Sequence, residues 1–198
     1  MVYNTYGSAS IMGTIFVDNL EPQSGTSLTL GASGDAINLA TGATAGFGKI
    51  GQVVQAIQKD DVLINTSSEV DISGLSVAIT PTSTSSKVLI TWSVYFNNDS
   101  GENFNANLKR GSTAIGQGNS GTGGQCTFAF ATANMNNYWL LHVGGNFLDS
   151  PSTTSETTYK LTATPNSGTY QMYFNRTARG GSADPLTSST ITAMEILP

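Results

Sequence analysis

The sequence predicts an all-β protein. The expected form is an antiparallel, jelly-roll-like β-sandwich knob preceded by a short extended stalk, with three copies intertwined as a homotrimer. Three observations predict it. From Lys49 to Pro198, apolar residues alternate with polar ones in short runs bounded by Gly, Ser, Asn and Pro, without a helical period. Between Asp18 and Gly48, glycines recur every few residues with single Leu and Ile residues between them. Only 11% of the 198 residues are charged, under half of the ~25% usual in soluble domains. Ser and Thr make up about a quarter of the chain, well above ordinary usage. Hydroxyls and amides must therefore cover the surface, a habit of extracellular and particle-surface β proteins.

Taken in order, Met1–Val17 mixes Tyr3, Tyr6, Ile11, Ile15 and Phe16 with small residues and has no period. It is too short to form its own core, so it is expected to anchor on a partner. The next zone, Asp18–Gly48, carries Leu28, Leu30, Ile37, Leu39 and Phe47. Leu28-Thr29-Leu30 and Ile37-Asn38-Leu39 each put a thin apolar edge on one side of an extended strand. One copy buries almost nothing, whereas three copies around an axis turn those edges inward. Each fully buried aliphatic side chain then contributes roughly 1.5–3 kcal/mol. A flexible Gly/Ser linker is the competing reading, but a linker has no need of spaced Leu and Ile.

The third zone, Lys49–Pro198, reads as the knob. In Lys87–Phe96, Val88, Ile90, Trp92, Val94 and Phe96 share one face and Thr91 and Ser93 the other. Gln125–Thr132, Tyr138–Val143, Thr157–Thr164 and Thr169–Asn175 repeat the alternation, and Ser189–Leu197 does so less cleanly. Val70–Thr80 reads as one or two strands broken at Gly74. Gln52–Ile57 is taken as strand for its β-branched residues. Pro81–Ser86, Asn97–Asn103, Gly116–Gly124, Asp149–Glu156 and Arg179–Ser189 read as polar turns.

Composition removes several function classes. Eight Lys and Arg stand against 13 Asp and Glu, a net charge of -5, with no basic run. A nucleic-acid binder needs a cationic face for phosphates, so none is expected. The longest apolar runs are four residues, so no membrane insertion is expected either. The first residues show no secretory cleavage pattern. The single Cys126 excludes an internal disulfide framework and a multi-thiolate zinc site.

Catalytic chemistry has few candidates. His142 is the only histidine, and its strand setting fits a polar face better than a Ser-His-Asp triad, which would need Asp149 or another carboxylate. No G-x-S-x-G nucleophile turn occurs. Cys126 lies in an apolar alternation and reads as an inert buried thiol. Asp60/Asp61, Glu69/Asp71, Asp99/Glu102 and Asp149/Glu156 could serve as glycosidase pairs, but each lies in or beside a turn, where Asp caps and solubilises. No enzyme activity, cofactor or metal is expected. The loops Asn97–Asn103, Gly116–Gly124 and Arg176–Asp184 are the candidate recognition surface, with Asn98, Asp99, Arg176, Arg179 and Asp184 foremost. An intramolecular ion pair explains the charges of Arg176–Asp184 equally well.

The runs LEPQSGTSLTLGASGD, GFGKIGQVVQAI, VDISGLSVAITPTSTSSKVLITWSV and FLDSPSTTSETTYKL, with the closing SSTITAMEIL, resemble fibre and fibre-like virion structural proteins of tailed bacteriophages, especially marine and cyanobacterial ones. The resemblance covers roughly Val17 to the end, and STSSKVLI is among its more specific segments. It implies a homotrimer on the virion surface, assembled in the host cytoplasm, with a slender shaft and a globular β knob. Its partners would be other copies of itself, capsid or tail proteins, and a host surface glycan. It implies no cofactor and offers no catalytic residue. The shaft here is short, which favours a short head or tail fibre or a capsid decoration protein. A cement protein that binds no host is the alternative, and a surface-polysaccharide depolymerase is a third reading.

Overall fold

Val88, Ile90, Trp92, Val94 and Phe96 all point into the interior, and the strand that carries them runs on through two buried amides to Asn98. The computed structural model describes residues 49–98, 104–118, 128–130, 138–165, 171–182 and 184–198, all within the unit Phe47–Pro198. The expected anchor and stalk (residues 1–48), Asp99, Glu102 and Cys126 lie outside the described residues.

The described residues form β1 (Ile50–Gln58), β2 (Val62–Ile64), β3 (Val70–Ile79), β4 (Lys87–Asn98), β5 (Phe104–Arg110), β6 (Thr113–Ile115), β7 (Phe128–Phe130), β8 (Leu141–Asp149), β9 (Thr157–Pro165), β10 (Met172–Phe174) and β11 (Ser189–Ile196). No helix occurs among them. Every pairing is antiparallel. One sheet of six strands centres on β4, with β8 along one edge and β11 then β10 along the other; β1 flanks β11, and β2 flanks β10. The second sheet, of five strands, runs β3-β9-β5, with β6 and β7 both on the far edge of β5.

The sheets face each other across one core. Ile72, Leu75, Val77 and Ile79 of β3 and Tyr159, Leu161 and Ala163 of β9 meet the β4 row together with Ile191 and Ala193 of β11. The β-sandwich expectation therefore stands. Pairing of β1 with β11 brings the first and last described strands together.

Several boundaries differ from expectation, each for a physical reason. The strand predicted over Tyr138–Val143 begins at Leu141 and continues through Gly144-Gly145 to Asp149. Val70–Ile79 is a single strand whose register shifts between Asp71 and Ser76. Gly74 absorbs the shift at φ +76°, and the Gln58 amide lies over it and donates to Ser73 O at 2.9 Å. The β5 run FNANLKR was not anticipated, although Phe104, Ala106 and Leu108 alternate with Asn105 and Asn107, because Asn is depleted in strands and the run follows an Asn-rich turn. The turn expected from Asn97 starts later: Asn97 and Asn98 belong to β4 and are buried, so Asn98 is not a loop-tip recognition residue.

The least expected inward residue is Glu195. Ser189, Ile191, Ala193 and Glu195 share the core face of β11, and Glu195 is fully buried. A bulge in β1 makes room for it. The register to β11 slips between Ile50 and Val53, and a Cβ on Gly51 would lie 2.8 Å from Glu195 Oε2. Gln52 Nε2 donates to Glu195 Oε2 at 2.9 Å and to Thr80 O at 2.6 Å. Thr82 donates to Glu195 Oε1 from both its backbone N (2.6 Å) and its hydroxyl (2.7 Å). Burial works to raise the Glu195 pKa, but the bonds from Gln52 and Thr82 outweigh it and hold the carboxyl at about 2.

A pH prediction follows. The folded pKa lies below the ordinary 4.5, so this carboxylate stabilises the fold above that value and the contribution disappears as pH falls towards 2. The contribution at neutral pH is on the order of 2 kcal/mol. Urea midpoints of wild type and Glu195→Gln should differ at pH 7 and converge between pH 4.5 and 2. A gap that stays constant with pH would refute the assignment.

Candidate functional site

The register defines two poles. At the proximal pole, Leu197 N donates to Lys49 O at 2.7 Å, beside the Lys87 end of β4. Lys49, the first described residue, enters the sandwich here. At the distal pole lie the Asn98 end of β4, the start of β8 at Leu141 and the start of β10 at Met172. The 12 residues of β4 separate the poles by roughly 36 Å at ~3.3 Å per residue.

The distal pole is built on buried amides. Asn97 donates from Nδ2 to Trp139 O and accepts from Ala178 N at 3.1 Å. One side chain thus fixes both the approach to β8 and the loop after β10. Asn175 holds the other side of that loop in the left-handed conformation, φ 63°. Its Nδ2 donates to Gln58 O and Asp60 O, both at 2.9 Å, and its Oδ1 accepts from Ser189 Oγ at 2.6 Å.

The loop is cross-linked from within around Asp184. Asp184 Oδ2 accepts from Thr177 Oγ1 and from Gly181 N, both at 2.8 Å, and Oδ1 accepts from Arg179 Nη1 at 3.3 Å. The Thr177 hydroxyl, then the Gly181 N–H, hold the Asp184 carboxyl below its usual range; burial opposes them and the Arg179 charge adds to them. Arg176 pairs with Asp61 at 3.0 Å and its guanidinium lies 4.6 Å from the Tyr173 ring centre. Of the expected recognition residues, Arg176, Arg179 and Asp184 are therefore brought together as a loop scaffold, the intramolecular reading of their charges.

The loop supports an aromatic pair that the sequence reading had placed within a strand. Arg179 stacks over the Tyr138 ring at 5.0 Å. Tyr138 and Trp139 precede β8 and are 60% and 65% exposed. Large aromatic side chains this exposed, beside a loop held by the Asn97 amide, have the form of a binding surface. The signal available in the sequence was the pair Tyr-Trp following Asn137, read as strand because Trp139, Leu141 and Val143 alternate.

His142 lies beside this pair on the outer face of β8. Its Nε2 is 2.8 Å from Ser93 Oγ, and its ring stacks against Tyr95 at 4.6 Å. Asp149 cannot complete a triad with it. The two stand seven residues apart on β8, which puts them on opposite faces and roughly 23 Å apart along the strand. Ser93 sits in mid-strand on an open sheet surface rather than on a nucleophile turn.

Of the candidate carboxylates, Asp149, Glu69 and Asp71 are also committed. Asp149, at the proximal end of β8, accepts from Tyr159 Oη at 2.7 Å and from Arg110 Nη1 at 2.9 and 3.1 Å, tying the two sheets together. Burial, and the bond to Asp149, push the Tyr159 hydroxyl far above the usual phenol range. Glu69 accepts from Lys109 at 2.6 Å, Thr162 at 2.6 Å and Asn107 at 3.1 Å. Burial acts to raise its pKa, but these bonds prevail and lower it, the wrong direction for a general acid. Asp71 pairs with Lys160 at 2.8 Å. Among the described residues, no three His, Cys, Asp or Glu side chains gather where they could hold a metal ion.

A scan of protein-family models finds no match to this chain, and a search of curated proteins finds none.

Proposed function

We propose that this chain is a virion structural protein, one subunit of a short homotrimeric head or tail fibre on a tailed bacteriophage. Residues 1–17 anchor it to capsid or tail proteins, residues 18–48 form the intertwined stalk, and the jelly-roll-like knob meets the host surface. The observation that carries the reading is polarity. The described fold begins at Lys49, by one end of β4, and the exposed Tyr138 and Trp139 lie at the other end. An anchor-to-target device needs its two contacts at opposite ends. A host surface glycan fits the distal pole, because the C–H face of a sugar stacks on an exposed ring while amides and hydroxyls take its polar edge. Neither a cofactor nor a catalytic step is part of this function.

The test is competition. Purified full-length protein should bind host cells and block infection. Tyr138→Ala with Trp139→Ala should weaken binding at least tenfold, in line with exposed aromatic hot spots worth ~1–3 kcal/mol, at an unchanged melting temperature. The same variant should still join particles. A wild-type protein that joins particles normally but neither binds cells nor blocks infection would instead be a capsid decoration protein.

A further inference from the structure

We propose that the outer face of the β1-β11-β4-β8 sheet is covered by a second copy of this chain. The inference takes self-association from the preceding reading and adds the surface through which the knobs meet; it is independent of phage or host.

The register lines up one aliphatic row across four strands. Leu148 stands opposite Leu89, Leu89 opposite Met194, and Met194 opposite Val53. All four face away from the core, since Val88, Ile90 and Ala193 between them point inward. Towards the proximal pole the next row continues with Ile196 and Ile50. Val53 and Ile50 are each 56% exposed, and Leu148 is 48% exposed. Further along, Thr91, Thr192, Asn146 and Gln55 form a neutral polar row, with Gln55 Nε2 donating to Thr192 Oγ1 at 2.8 Å. Lys87, at the rim, is the one Lys, Arg, Asp or Glu in these outward rows.

The other sheet shows what a water-facing surface looks like in the same molecule. Its outer face carries the ion pairs Lys109–Glu69 and Lys160–Asp71, set among Thr and Asn. Two sheets of one sandwich thus have unlike exteriors, one ionic and one aliphatic. Solvent alone would not distinguish them.

Two features select a second copy as the occupant. The first is charge. The chain carries a net charge of -5, so copies repel in most orientations, but this face brings no carboxylate to the contact. The second is where the chain comes in. Lys49, the first described residue, directly precedes Ile50 and the aliphatic row. Any association between copies of the segment before Lys49 raises the effective concentration of one knob at another. Four strands ~4.8 Å apart and eight residues of ~3.3 Å give roughly 500 Å² in projection. The aliphatic rows and the neutral polar row together thus offer more than half of the ~800 Å² per partner of an ordinary interface.

The experiment is sedimentation equilibrium of the full chain at micromolar concentration. Val53→Lys with Leu148→Lys places two charges on outward positions of edge strands, where Lys is tolerated. This variant should dissociate at least 100-fold more readily than wild type. Ser76→Lys with Ala78→Lys adds the same charge to the outer face of the other sheet and should leave association unchanged. A face variant that keeps the wild-type mass overturns the proposal but leaves a trimeric fibre intact. A wild type that is a dimer and dissociates on the face substitution upholds this surface and refutes the trimer. A monomeric wild type refutes both. Should the Lys variant unfold, Gln55→Cys on a Cys126→Ser background gives a second readout. A short bis-maleimide should cross-link it into multimers but not Ser76→Cys, and equal or absent cross-linking would overturn the assignment.

Discussion

Asn175→Asp should be the most destabilising single-atom exchange in the knob, costing about 3–5 kcal/mol at pH 7. Asn175 is fully buried, and both ends of its amide are committed: Nδ2 to Gln58 O and Asp60 O at 2.9 Å, and Oδ1 to Ser189 Oγ at 2.6 Å. Its backbone is equally used, donating to Tyr95 O at 2.9 Å and accepting from Thr187 N at 3.0 Å. An aspartate would turn a charged oxygen towards two carbonyl oxygens. Protonation restores only one of the two donors, so the deficit should shrink but not vanish as pH falls from 7 to 4. For a domain of this size each kcal/mol moves the melting temperature by roughly 2–4 °C, so a fall of about 10 °C is expected. Asn175→Gly separates conformation from bonding. Glycine accepts φ 63° without strain, so its cost, about 2–3 kcal/mol, measures the lost side-chain bonds. A melting temperature within two or three degrees of wild type for the Asp variant would show that the amide does not hold this loop.

How much of this was legible in the sequence depends on how local each cause is. β4 was legible because its alternation is strong and needs no partner to be seen. Thr157–Pro165 was legible for the same reason, with Tyr159, Leu161 and Ala163 all inward. Met172–Phe174 was only partly so. Its three residues are all buried, since Tyr173 on the far face is covered by the Arg176 guanidinium, and period two is lost where both faces are shielded. Glu195 was not legible as an inward residue. Its partners Gln52 and Thr82 lie more than 100 residues away, the first on the bulge of β1 and the second between β3 and β4. At the distal pole, the cluster of Arg176, Arg179 and Asp184 was foreseen as a loop, but its bonds turn inward. The exposed Tyr138 and Trp139 were hidden inside an apparent alternation, because the strand start is set by pairing with Phe96 rather than by the local pattern.

Gly145→Ala should show that the glycine pair in β8 is a packing device and not a flexible break. Gly145 stands directly opposite Trp92 in the register, on the core face. A Cβ there would come within 2.4 Å of Trp92 Cζ2, 2.8 Å of Cε2 and 3.1 Å of Cη2. The indole is 7% exposed and part of the central cluster, so it cannot swing into solvent without opening the core. Overpacking of this kind costs typically 1–3 kcal/mol. The expected effect is at the upper end, about 3 kcal/mol, because the clash is with a ring rather than with a flexible tip. The mechanism predicts its own rescue. Trp92→Phe shortens the ring system and leaves a cavity, which costs stability alone, but the added methyl then has room. In a double-mutant cycle the two substitutions should couple favourably by at least 1 kcal/mol. Fluorescence gives a second reading. On a Trp139→Phe background the remaining emission comes from Trp92, and Gly145→Ala should shift it to longer wavelength as the indole is displaced towards water. Additive energies together with an unmoved spectrum would mean that β8 accommodates the methyl by backbone movement, and that the close fit of Gly145 beneath Trp92 does not set the strand's position.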